Sequence, residues 1–207
     1  MSTGLCYRNL LLSALGGIAL SACLTHPILR FGTGGRYLEG KDELTRRQGG
    51  NIDKAIQALE SVAREEPTYR DTLTLLGRAY YKKGRYQDAF QILQRARAVN
   101  REDEIAWLVL GLAQMRLGDE QNGLAGVQEG LALSNRVMKD GYRGYPGWDP
   151  NRLVNSTLRR AIFLATKGLE EKENLIRTAE LLLTRIDDEE WYQKGDQRVE
   201  RALNTSD

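Results

Sequence analysis

Histidine occurs once in the 207 residues, at His26, cysteine twice and proline four times, and the 30 basic side chains are offset by 28 acidic ones. One histidine and two cysteines exclude a His/Cys zinc site of the usual kind and a disulfide framework. A formal charge of +2 argues against a nucleic-acid binder held by phosphate electrostatics. No nucleophile elbow, HExxH, phosphate loop or GxGxxG following a strand is present, so chemistry would have to rest on carboxylates. Asp187 to Glu190 is the densest acidic run, but neighbouring residues on a helix point in different directions, and it reads as a solvated helix end. Asp71 and Glu104 are the acids a cell-wall enzyme or sugar-binding protein would need to pair, and the pattern places no such pair on one face. No catalytic residue, metal, cofactor, nucleic acid or small-molecule substrate is therefore expected. What the chain does have is length for one buried core, 41% apolar residues, and 21 glycines whose positions carry information.

The first 22 residues have a polar start with Arg8 and an apolar run from Leu10 to Ala22. At 13 residues the run is shorter than the roughly 20 a bilayer-spanning helix needs, and the shape is that of an export signal. Leu20-Ser21-Ala22-Cys23 resembles the lipobox of bacterial lipoproteins; the alternative is an ordinary signal peptide with an incidental cysteine. The resemblance implies cleavage after residue 22 and lipidation of Cys23, leaving 185 residues with 29 basic and 28 acidic side chains. Leu24, where an aspartate often marks inner-membrane retention in that family, implies the outer membrane and its periplasmic face. Residues 23–35, with Pro27, Gly32, Gly34 and Gly35, read as a flexible tether.

A fixed period then sets the architecture. Gly50, Gly84 and Gly118 lie 34 residues apart, each between two stretches of helical apolar spacing, and the same interval separates Gly77 from Gly111, Leu76 from Leu110, Leu73 from Trp107 and Ala55 from Ala89. Gly50, Gly84 and Gly118 are expected to end first helices in the left-handed region. Gly77 and Gly111 are expected to let helix pairs approach closely. Leu73, Leu76, Gly77 and Tyr80, followed by Ala89, Leu93 and Ala96, resemble the tetratricopeptide repeat. The resemblance implies an all-α helix-turn-helix solenoid of about three repeats over residues 36–138. In the first copy Asp42 and Glu43 replace the expected Leu-Gly pair, so its first helix reads as a cap. Gly123, Gly126 and Gly130 weaken the last repeat helix by about 1 kcal/mol each against alanine. A glycine- and aromatic-rich loop at 139–150 breaks the rhythm, and residues 151–207 read as a helical cap, with helices near 152–169, 172–185 and 191–203.

The family geometry implies a concave groove lined by first helices, facing protein partners in the cell envelope. Its floor would be Tyr37, Arg78, Tyr81, Lys82, Ile105, Leu108, Leu112 and Met115, with Asp71, Thr74 and Arg116 nearby. The lysine and asparagine set with which some family members clamp a peptide carboxylate is missing. Such a floor suits an amphipathic helix or an extended peptide, and two alternatives stay open: an external partner, or the chain's own C-terminal helices. Tyr142, Tyr145 and Trp148 carry the same choice between anchoring a partner and plugging their own fold. Resemblance implies a lipid-anchored scaffold or assembly factor, or else a fixed accessory subunit of a membrane complex.

Overall fold

A computed structural model describes residues 32–204 except 47, 140, 143 and 146; the expected signal peptide, Cys23 and most of the tether lie outside the described residues. Among these residues the chain is all-α: α1 (Thr33–Thr45), α2 (Ile52–Glu65), α3 (Thr72–Lys82), α4 (Tyr86–Val99), α5 (Glu104–Arg116), α6 (Glu120–Val137), α7 (Leu153–Thr166), a 3-10 turn at Gly168–Glu171 and α8 (Lys172–Asn204). Helices α1/α2, α3/α4 and α5/α6 form three hairpins stacked as a solenoid, and α7 and α8 follow them. No described helix is long and apolar enough to cross a membrane.

The turns obey the 34-residue rule in two places. Gly84 and Gly118 have φ of +80° and +88°, a region open to glycine at little cost. In the first hairpin the left-handed residue is Gly49, at φ +74°, and not Gly50. Gly50 is needed for a different reason, since a Cβ there would lie 2.5 Å from the Glu43 carbonyl oxygen. The register slips because α1 meets α2 through Gly40, whose absent Cβ would strike Leu59 at 2.6 Å. Gly40 precedes Gly77 by 37 residues, three more than the repeat. A longer connection absorbs them, and helix α1 begins at Thr33, so the ordered domain takes over the last residues assigned to the tether.

Gly77 packs on Leu93 of α4, with a Cβ position 2.4 Å from Leu93 Cγ. The α5/α6 pair is closer still. A Cβ on Gly111 would sit 2.4 Å from the Val127 backbone nitrogen, and one on Gly130 would sit 2.5 Å from that of Leu108. The three α6 glycines thus remove side chains where two backbones touch, and their loss of helix propensity is offset by that packing. Helix α5 is buried on every side and forms the centre of the array.

The C-terminal cap differs from expectation in one respect. Residues 172–204 form a single α-helix, where the acidic run at 187–190 had suggested an end. No glycine or proline interrupts residues 169–194, and Asp187 and Glu190 find basic partners in Arg78 and Lys41, so nothing breaks the helix there. Leu175, Ile176, Ala179, Leu182, Leu183 and Ile186 are buried along it.

Candidate functional site

Helix α8 lies in the concave groove. Glu173, Glu180 and Asp187 are seven residues apart, two helical turns, which places them on one face about 10.5 Å apart along the axis. That interval is close to the 8–10 Å separation of packed helices, so the acids pass from α5 to α3 along the groove, with Glu180 touching both. Arg116 of α5 reaches Glu173 at 3.7 Å and Glu180 at 3.1 Å. The Tyr81 hydroxyl of α3 donates to Glu180 at 2.6 Å. Arg78 Nη2 donates to both Asp187 oxygens, at 2.8 and 2.6 Å, and Lys41 of α1 pairs with Glu190 at 3.1 Å. Lys82 lies 3.8 Å from Asp187 and donates to the Leu44 carbonyl at 3.1 Å.

Arg78 and Asp187 are 5% and 6% exposed, which takes this pair out of the class of surface ion pairs worth little. Burial, followed by donation to Glu180, holds the Tyr81 hydroxyl protonated well above the ordinary tyrosine range. Burial, followed by the Arg78 charge, lowers the Lys82 ammonium, while Asp187 opposes that shift.

Of the two alternatives for the groove, the structure therefore has the chain's own helix inside it. Arg78, Tyr81 and Lys82 face α8 instead of an open channel, while Tyr37 meets Asp71 and Tyr69. Ile105, Leu108, Leu112 and Met115 are corrected from groove floor to core: all four are at most 3% exposed. Leu108 and Met115 pack on Gly130 and Gly123 of α6, because small residues on α6 draw that face of α5 inward. The run 187–190 is corrected too: Asp187 and Glu190 are buried and paired, since the groove opposite them is basic.

The loop resolves in the same direction. Tyr142 is 3% and Trp148 9% exposed, their ring centroids 4.7 Å apart, with Tyr145 stacked on Trp148 at 6.2 Å. The Tyr142 hydroxyl donates to Glu104 at 2.6 Å. Asp149 then caps α7, accepting from the backbone N–H of Val154 at 3.0 Å and Asn155 at 2.8 Å, while its own N–H donates to Glu189 of α8 at 3.1 Å. The aromatics pack into the fold, and the backbone at Gly147 and Asp149 ties the loop to α8.

Apart from the filled groove, a cleft remains open at the helix ends. A cleft of about 480 Å³ is bounded by Tyr37 and Lys41 of α1, Arg70 and Asp71 before α3, Asp103 and Glu104 at the start of α5, and Tyr142. The Tyr37 hydroxyl donates to Asp71, and Thr74 donates to Asp103 at 2.6 Å. Arg70, in the left-handed region at φ +49°, holds its guanidinium 5.6 Å from the Tyr37 ring centre and 5.8 Å from that of Tyr69. Asp71 and Glu104, far apart in sequence, thus share a cleft, each bonded by a tyrosine hydroxyl.

Residues 47–119 match the tetratricopeptide repeat family. The match runs from the first hairpin turn to the turn before α6, and it covers the helices that carry the 34-residue period. Tetratricopeptide repeats are typically non-enzymatic protein-interaction scaffolds. A comparison with curated proteins finds no match for the chain. Sequence reasoning missed the acids of α8 as the groove's occupants; their seven-residue spacing, opposite basic residues at 78, 82 and 116, was the available signal.

Proposed function

We propose that this chain is a lipid-anchored scaffold or assembly factor on the periplasmic face of a bacterial outer membrane, serving an envelope machine of the barrel-assembly, pilus, secretin or cell-wall type. Support for the anchor is the tripartite segment ending at Cys23; support for the scaffold role is the repeat array. The observation that carries the site is a contrast: α8 fills the groove lined by Arg78, Tyr81 and Arg116, and the cleft at Tyr37, Arg70, Asp71 and Glu104 stays open. A partner docks at that cleft, its acidic or carbonyl groups facing the Arg70 guanidinium, since the neighbouring acids are already bonded by Tyr37, Thr74 and Tyr142.

A second reading, a fixed accessory subunit of a larger membrane complex, draws on α8 itself. Trp191 is 71% and Tyr192 52% exposed near the α1 end of the array, and adjacent exposed aromatics suit a permanent interface. Isolation from membranes in mild detergent, with mass spectrometry of the N-terminus and of co-eluting proteins, separates the two. Acylated Cys23 and a co-eluting protein lost at least about fivefold in Arg70→Glu, but retained in Lys54→Glu on α2, is the expected result. An unmodified, uncleaved N-terminus would overturn the anchor, and recovery indifferent to Arg70→Glu would move docking away from the cleft. A co-eluting set of fixed stoichiometry that depends on Trp191 would establish the second reading.

A further inference from the structure

The outward face of α7 carries charge of one sign. Between Asp149 and Glu170 there are four basic side chains, Arg152, Arg159, Arg160 and Lys167, and no acid, in a chain whose charges otherwise nearly cancel. Residues 153, 156, 160, 163 and 167 fall on one helical stripe with 159 at its edge, and all six are solvent-exposed. Two members of the stripe are apolar: Leu153 is 46% and Phe163 59% exposed. Lys167 Nζ lies 5.2 Å from the Phe163 ring centre. The nearest acid upstream, Asp149, is buried and spends its carboxylate on the α7 N-terminus, so it does not neutralise the stripe. None of the four basic residues is in an ion pair among the described residues. Beside the stripe an apolar groove of about 330 Å³ opens between α6 and α7, lined by Leu131, Ala132, Ile162 and Ala165.

We infer that this face of α7 rests on an anionic phospholipid surface. Leu153 and Phe163 stand ten residues apart on a convex helix, about 15 Å along its axis, with basic heads between and beside them. A plane of phosphates over hydrocarbon meets all of these at once: the basic stems extend to phosphate while the apolar side chains enter the acyl boundary, within the 5–10 Å depth reached by interfacial segments. Each Lys or Arg near such a surface adds attraction that falls off within a Debye length. An acidic protein would satisfy the charge but leave Leu153 and Phe163 as isolated knobs that each need a matching pocket, so the lipid plane fits the whole stripe better. The contact does not depend on the fate of Cys23. It would turn the array so that α7 faces the bilayer.

The test adds full-length protein to vesicles of phosphatidylcholine alone or of phosphatidylcholine with about a third phosphatidylglycerol, the first carrying a trace of photoactivatable phosphatidylcholine and the second a trace of photoactivatable phosphatidylglycerol, and maps adducts by mass spectrometry. Adducts on 153–167 at least about fivefold more abundant with phosphatidylglycerol, and reduced at least about tenfold by Arg159→Glu with Arg160→Glu, are expected, given the gain per cation at anionic surfaces. Both substitutions are on exposed positions, and an unchanged thermal melt confirms that the variant is folded. Equal labelling by the two lipids, or labelling of the double variant at the wild-type level, would overturn the inference. So would an α7 free of adducts whose double variant instead loses a co-purifying acidic protein. Adducts on residues before 32 report the anchor separately, so failure of the one reading is distinguishable from failure of the other.

Discussion

Glycine does opposite things at different positions of this chain, and each can be tested by adding one methyl group. At Gly130 a Cβ would lie 2.5 Å from Leu108 N and 2.7 Å from its Cα, backbone atoms that cannot rotate away. Gly130→Ala is expected to lower stability by about 1–3 kcal/mol, read in a urea melt. At Gly195, inside α8, nothing lies within 4 Å, and Gly195→Ala is expected to raise stability by about 0.5–1 kcal/mol. The sequence distinguishes the two only in part. Gly77 and Gly111 announce close approach because they recur at the repeat interval, whereas Gly123, Gly126 and Gly130 look like a loss of helix propensity. Propensity is a property of a helix alone, and the benefit of these three belongs to the contact with α5.

Hairpins α1 to α6 were legible because their stabilising contacts are local and periodic; the C-terminal segment was legible as helix, but its continuity as α8 and its seat in the groove were not, because what holds it lies about a hundred residues away. Seven-residue spacing of acids is weak evidence on its own; it acquires meaning once Arg78, Tyr81 and Arg116 are known to share a face. The buried Arg78–Asp187 pair is the centre of that contact. Asp187→Ala leaves a guanidinium buried without its charge partner and is expected to cost about 3–5 kcal/mol, while Arg78→Met with Asp187→Leu should recover most of the loss; chemical denaturation of both variants checks this. The Tyr81 contact adds a pH dependence. Its hydroxyl keeps its proton in the fold to well above the ordinary range, so the stabilisation is complete below the unfolded tyrosine value near 10 and is lost as pH rises towards the folded value. Unfolding free energy is therefore expected to fall above about pH 10, with a shallower slope in Tyr81→Phe, as followed by denaturant melts at stepped pH.

For the molecule as a whole, α8 is both the groove's occupant and a share of the core. Ending the chain at Glu171 removes Leu175, Ile176, Ala179, Leu182, Leu183 and Ile186 from an interior where all are at most 6% exposed. Loss of a cooperative thermal transition and strong binding of an apolar dye are expected, and a sharp melt at the native temperature would show the repeats to be self-sufficient. Repeat arrays ordinarily behave as chains of nearest-neighbour units that can open from either end. Here Arg78 meets Asp187 across 109 residues, and the helix that brings Asp187 follows all three hairpins in the chain. Time enters the fold through that contact. The hairpins are expected to form first from neighbouring contacts, with closure of the long loop between Arg78 and Asp187 the slower step, since its entropy must be met before the ion pairs form. Once closed, α8 joins hairpins that would otherwise open one by one, so the assembled array should exchange its amide protons as a single unit.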